Sequence, residues 1–318
     1  MKFTAMLIAA GLALVAPAAA QETRSFIDDA GRVVEIPVNP ERIVALQDIF
    51  FTVPLIELGI HPIGSHGRAG DDGQPFLRSS KMLTGVDFDN TDIAFMGTGT
   101  EIDPETVAAV QPDLIILSTN QDPQLFAEIA PTILLDFRRL DNFELYDRLA
   151  ELTGTTASLE LLKVRYGEQI AQLTRLGDPS GTSINVIAAV NGQVRSYARF
   201  AALGKVLHDA GFAQPDAVAD VEYGQYSEFS PEMLPEMDAD IIFVTYRAEF
   251  GETPADAFAQ LEETVPNFCN FLVACQQGRM IAIPRDETFA TSYGALGTLA
   301  YAVLAASTAA NAISYSTN

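Results

Sequence analysis

The chain has no tryptophan, two cysteines and three histidines in 318 residues, and it is short of positive charge: 19 Lys and Arg stand against 42 Asp and Glu, a formal net charge of −23. Each scarcity excludes something. Too few cations are present to neutralise a phosphate backbone, so nucleic acid is excluded as a partner, and so is a polybasic anchor on an anionic membrane. His61, His66 and His208 lack metal-ligand spacing, and neither cysteine has a His or a second Cys pair beside it, so no zinc site is legible. Also missing are the G-x-S-x-G elbow, the phosphate-binding G-x-x-x-x-G-K, H-E-x-x-H and a dinucleotide G-x-G-x-x-G after a strand. A secreted hydrolase working through paired carboxylates stays open, since carboxylates are plentiful and unlocalised. What the chain does have is ordinary globular composition, 48% hydrophobic with 22 Gly and 17 Pro, and length enough for two lobes.

Lys2, the uncharged apolar run Ala5 to Ala16 and the small residues Ala18-Ala19-Ala20 read as a secretory signal cleaved before Gln21. Loss of Lys2 takes the mature chain from −23 to −24. The apolar run is too short to span a bilayer, and no Cys follows it to accept a lipid. In an oxidising compartment Cys269 and Cys275, six positions apart, most simply close a small disulfide loop; two buried thiols are the alternative. From Thr288 onward no residue is charged, but Ala, Ser, Thr and Gly dominate there. Leu296, Leu299, Val303 and Leu304 fall at helical spacing, which predicts a packed amphipathic helix and no membrane insertion.

Patterning divides the remainder into similar halves. Two short strands flank a turn at Asp29 to Gly31. Arg42 to Leu46 reads as a buried strand, a helical period then runs to a stop at Gly59, and Pro62-Ile63-Gly64 reads as a further short strand. Asp103-Pro104-Glu105 opens a helix that Pro112-Asp113 ends before the strand Leu114 to Leu117. The same series of cap, Pro, Glu, short helix and strand recurs from Ser230-Pro231-Glu232 to Asp240 and Val244, offset by 127 residues at both Glu and Asp (232 − 105 and 240 − 113). Between the two copies, apolar positions from Leu159 to Leu176 predict one long helix, after which Ile184 to Val190 begins the second half.

The Arg42–Leu46 string, the Leu58-Gly59-Ile60-x-Pro62-Ile63-Gly64 corner, Glu105 seven residues before Pro112-Asp113, and Leu203-Gly204-x-Val206-Leu207-x-x-Ala210-Gly211-Phe212 together resemble the solute-binding proteins of iron-siderophore and cobalamin ABC importers. The last β-unit, Val265 to Ile283, resembles that family as well, and Thr245-Tyr246-Arg247-Ala248-Glu249 is similar to ferric siderophore binders, including those for ferric citrate-type chelates. The resemblance implies α/β architecture of the class III periplasmic binding proteins: two Rossmann-like α/β lobes joined by a long rigid helix, with a ligand cleft between lobes. On this chain that sets a signal peptide at 1–20, an N-terminal lobe at 21–154, a connecting helix at 155–178 and a C-terminal lobe at 179–318. It further implies a monomeric, periplasmic, non-enzymatic protein without a cofactor, whose partners are a ferric chelate and an ABC importer permease. Haem, cobalamin or a free metal ion stay open as cargo. Glu105 and Glu232 match the motif positions that dock on the permease in this family, although a first-turn carboxylate also suits a helix dipole.

An oxygen-rich, often anionic ferric chelate calls for Arg forks and Tyr hydroxyls, and α/β lobes place ligands outside the carboxyl ends of their strands. In the first half the strand-end candidates are Gln47, His66, Arg68, Asn120, Arg138 and Arg139. In the second they are Arg195, Tyr197, Arg199, Tyr246, Arg247 and Arg285, with Phe289 and Tyr293 as apolar wall. Arg68, Arg199, Arg247 and Arg285 are the foremost, as an opposing clamp from both lobes. On so acidic a chain any attraction for an anion has to come from a local cluster of arginines.

Overall fold

The computed structural model describes residues 21–70, 73–98, 102–119, 121–137 and 143–315, so the expected signal segment, Asn120, Arg138 and Arg139 lie outside the described residues. The strands are β1 Thr23–Ile27, β2 Val33–Pro37, β3 Ile43–Ala45, β4 Gly64–Ala69, β5 Pro75–Phe76, β6 Ala94–Thr98, β7 Leu114–Ser118 and β8 Thr132–Leu135, followed by β9 Ile184–Val190, β10 Gln193–Ser196, β11 Ser227–Phe229, β12 Ile241–Tyr246 and β13 Met280–Pro284. β1 and β2 form the expected antiparallel hairpin. The first large sheet runs β5-β4-β3-β7-β8 with β6 also on β4; all its pairings are parallel except that of the short β5. The second runs β11-β10-β9-β12-β13, with β9, β12 and β13 parallel. The α/β expectation is met by two such sheets, and the helix Thr156–Leu176 lies between them in the chain.

Sequence punctuation accounts for most boundaries. Gly59 stops the helix after β3 with φ 91°, a conformation that costs a residue with a Cβ. Asp103 caps the helix Pro104–Ala109 by accepting from Glu105 N at 3.0 Å. The repeat is visible as a shared brace. Asp113 accepts the backbone N–H groups of Glu41 and Arg42 at 2.8 and 2.9 Å, and Asp240 accepts that of Ser183 at 2.7 Å. In each copy the aspartate before the repeated strand thus ties down the start of its parallel neighbour. The copies differ in one respect: Pro231–Met237 is a 3-10 helix rather than an α-helix, because Pro235 within it supplies no N–H.

One hydrophobic core joins the sheets. It includes Ile43 and Ile133 of the first sheet, Val186 and Phe243 of the second, Leu159 and Leu173 of the connecting helix, and Leu296, Leu299 and Val303 of the last helix, Tyr293–Tyr315. The apolar stripe read near the C-terminus is therefore core-facing, and among the described residues no helix is long and apolar enough to cross a membrane. Cys269 and Cys275 form a disulfide, with Cα atoms 5.1 Å apart.

Candidate functional site

The parallel strands of each sheet run out into loops, and the polar and aromatic side chains of interest gather there. After β3 the chain enters a π-helical turn, Asp48–Thr52, in which Thr52 N donates to Gln47 O at 3.1 Å. This wide turn, a form often found at functional sites, carries the Asp48 side chain to complete burial. Asp48 accepts from Arg78 Nε at 2.9 Å and from a second Arg78 nitrogen, Nη2, which also donates to Gln47 Oε1 at 3.0 Å. His66, 2% exposed, places Nδ1 3.4 Å from Asp48 Oδ1. Burial alone would raise the Asp48 carboxyl; the hydrogen bonds from Arg78, with His66 close by, outweigh it and hold the group well below the usual carboxylate range. Phe50 stacks on Phe137 at 4.2 Å between ring centres, an aromatic surface from the loops after β3 and β8.

At the second sheet the arrangement is aromatic. Arg285, the first residue after β13, lies over the Phe289 ring at 4.3 Å and over Tyr197 at 5.3 Å, and its Nη2 donates to the Tyr197 hydroxyl at 3.2 Å. Tyr197 in turn meets Phe289, Tyr226 and Phe200 with centroids 4.4, 5.4 and 6.1 Å away. Arg285 and Arg247 line one cavity of about 500 Å³ with Thr245, Glu252 and Glu263. Arg247 is 52% exposed along its side chain and ion-paired with Glu252. A second cavity, of about 450 Å³, draws its wall from both halves: Phe76, Leu77, Met82 and Asp87 from the first, Ala248, Glu249 and Asp286 from the second.

Several expected residues fall elsewhere. His66 and Arg68 lie within β4, which begins at Gly64, rather than beyond its end, because the short strand read at Pro62 to Gly64 continues to Ala69. Arg68 is paired with Phe76 of β5, and its side chain forms no ion pair among the described residues. Arg195 sits within β10, ion-paired with Glu228 across from it. Arg199 donates to Gln214 at 3.3 Å, and its backbone is so close to Gly204 that a Cβ there would lie 2.5 Å from the Arg199 carbonyl carbon. Tyr246 ends β12 half-buried against the second core cluster. Tyr293 is 8% exposed, packs at 4.9 Å from Tyr146 and 5.5 Å from Phe143 in the main core, and lines a third cavity with Glu57, Arg165 and Tyr301, apart from Arg285 and Phe289. The structure also corrects the picture of available arginines in opposition, since Arg247 is matched by a carboxylate. Sequence reading missed Arg78, Asp48, Asp286 and Tyr226. Asp48 directly follows the Gln47 that was selected, which was the one signal available. Glu105 and Glu232 are both exposed in the first turns of their repeated helices. Among the described residues no group of three or more His, Cys, Asp or Glu is placed to hold a metal ion.

A fold of two sheets with ligand-sized cavities at their strand ends is that of the periplasmic solute binders. The crystal structure of Staphylococcus aureus SirA complexed with staphyloferrin B shares it, with a TM-score of 0.69 at 21% identity over 89% of this chain and 98% of that one. Residues 78–286 match the family described as periplasmic binding protein, and the chain belongs to that family. Among curated relatives, the probable siderophore-binding lipoprotein YfiY of Bacillus subtilis is 28% identical over 72% of this chain and 70% of its own. The Fe(3+)-citrate-binding protein YfmC of the same organism is 26% identical over 84% of this chain and 80% of its own.

Proposed function

We propose that this protein is the extracytoplasmic solute-binding component of an ABC importer, capturing a ferric siderophore between its two sheets and passing it to a permease. The carrying observation is the cavity of about 450 Å³ walled by residues of both halves, within the size range of small-molecule sites. The ligands named for the relatives, a siderophore and ferric citrate, supply the class of cargo. Arg285, backed by the buried Tyr197, offers donors to an oxygen-rich complex, and the exposed Tyr226 and half-buried Phe289 offer ring faces. The helix Thr156–Leu176 and the core shared by both sheets keep any closing motion small. Glu105 and Glu232, one exposed on each half, form the two points of contact with the permease. Capture and release need no chemical step, so the protein acts without turnover and without a cofactor, as a monomer in the periplasm.

Titration of ferric hydroxamate, catecholate and citrate chelates, haem and cobalamin tests the reading by quenching of tyrosine fluorescence. With no Trp in the chain, the signal has to come from its 9 Tyr, of which Tyr226 is exposed. Saturation by an iron chelate at micromolar concentration is expected; saturation by none of the panel defeats the assignment.

A further inference from the structure

The cavity between the halves contains an unmet demand. Asp286 lines it at 6% exposure; among the described residues its Oδ2 has no N–H or hydroxyl donor, and the side chain that meets its carboxyl is another acid, Glu249. Glu249, from the turn after β12, is exposed as a residue but brings its carboxyl against Asp286. Asp87 adds a third carboxylate from the first half; its Oδ1 accepts the backbone N–H groups of Leu77 and Phe88, both at 2.8 Å. The neighbouring cations are already engaged, Arg78 with Asp48 and Lys81 with Asp89. A carboxylate oxygen buried without a donor is unfavourable until one arrives. An ammonium group brings three N–H donors and the matching charge.

We propose that this cavity seats a protonated amine on the ligand, so that the preferred cargo is a ferric chelate with an uncharged iron-binding part and a cationic tail, as in an amine-ended trihydroxamate, rather than a polyanionic citrate or catecholate complex. The inference rests on the importer function proposed above. The charge of the chain agrees with it, since a net −23 attracts a cation and repels a polyanion. Arg78, Arg195 and Arg247 are each matched by a carboxylate, which leaves Arg285, held by the Tyr197 hydroxyl and two rings, as the cation beside Asp286 for the oxygen-rich part of the chelate.

The charged groups facing Glu249 are Asp286 and Arg247 on its own half and Arg78 and Asp48 from the first. Burial, with Asp286 beside it, pushes Glu249 up to about 7, against the lowering influence of Arg78. The acid pair therefore gains charge between pH 6 and 8, whereas an alkyl ammonium, with a pKa of about 10, keeps its own. Amine binding is expected to tighten over that range.

Ferrioxamine B, a ferric trihydroxamate ending in a free amine, and its N-acetylated form are a matched pair that differ in this one charge. In fluorescence titrations of the whole protein at pH 8, the free amine should bind at least about tenfold more tightly than the acetylated chelate. That ratio should shrink at pH 6 and fall towards one in Asp286→Asn. Glu249→Gln, at an exposed position, should lower it too, which keeps the test open if Asp286→Asn folds poorly. Equal binding of the two chelates, or tighter binding of ferric citrate or a ferric tricatecholate than of ferrioxamine B, overturns the ammonium site and leaves the importer function standing. Failure of every chelate to bind overturns both.

Discussion

At the end of the first sheet, charge closes on itself: Asp48 is fully buried, but Arg78 meets it with two nitrogens and Gln47 holds that same arginine from the other side. At the end of the second sheet the polar groups stay unfinished. Arg285 rests on rings with one hydroxyl as acceptor, and Asp286 is met by another acid, Glu249, in place of a cation. Both regions put ionisable groups where sequence logic expects a ligand. The difference teaches that burial of a charge with its counter-charge marks scaffold, whereas burial without one marks a place for something to arrive.

The comparison can be broken experimentally, and the largest effect concerns the halves as wholes. Reversing both proposed docking carboxylates, Glu105→Lys with Glu232→Lys, should abolish iron uptake in cells while chelate affinity stays unchanged. Each reversal alone should give a partial loss, and a lost affinity would move those residues from docking to binding. Next, Arg78→Met leaves the Asp48 charge uncompensated and should cost about 3–5 kcal/mol in urea unfolding. An Arg78→Met protein of normal stability that no longer binds chelate would make the first sheet a site like the second. The same pair predicts acid sensitivity. The Asp48 carboxyl titrates lower in the folded chain than in the unfolded one, so the unfolded state takes up the proton first and stability falls as pH drops below about 4. That fall should be shallower in Asp48→Asn, measured as the unfolding midpoint against pH. Arg285→Ala should lower chelate affinity about ten- to hundredfold while shifting stability by less than about 1 kcal/mol. Smallest of all, Arg247→Ala removes a half-exposed ion pair and should change stability by about 0.5 kcal/mol or less.

Much of the scaffold was legible because it rests on local rules. Asp103-Pro104 and Ser230-Pro231 mark starts, Gly59 marks a stop, and the spacing from Leu159 to Leu176 marks the connecting helix to within a few residues. The 127-residue offset found a real structural equivalence, down to the bracing aspartates Asp113 and Asp240. The site was less legible, because an arginine's role depends on its partner, and partners come from distant parts of the chain. Arg78 and Asp48 are 30 residues apart, and Arg285 and Tyr197 are 88 apart. Strand-end position selected Arg247, which a nearby glutamate occupies, and nearness to Arg285 in the chain selected Tyr293, which packs in the main core. The net charge of the chain gave the sounder hint: with carboxylates in excess, few arginines could stay unmatched.

Glu57 ties the beginning of the chain to its end. From the helix after β3 it accepts from the Tyr146 hydroxyl, from Ser292 Oγ, from Tyr293 N at 2.8 Å and from Gly294 N at 3.1 Å, gathering the start of the last helix into the first half. Ser292, Tyr293 and Gly294 are made more than 230 positions later than Glu57 itself. The first half is thus incomplete until nearly the whole polypeptide has been synthesised, and a chain stopped near residue 290 lacks the piece that closes its earliest part.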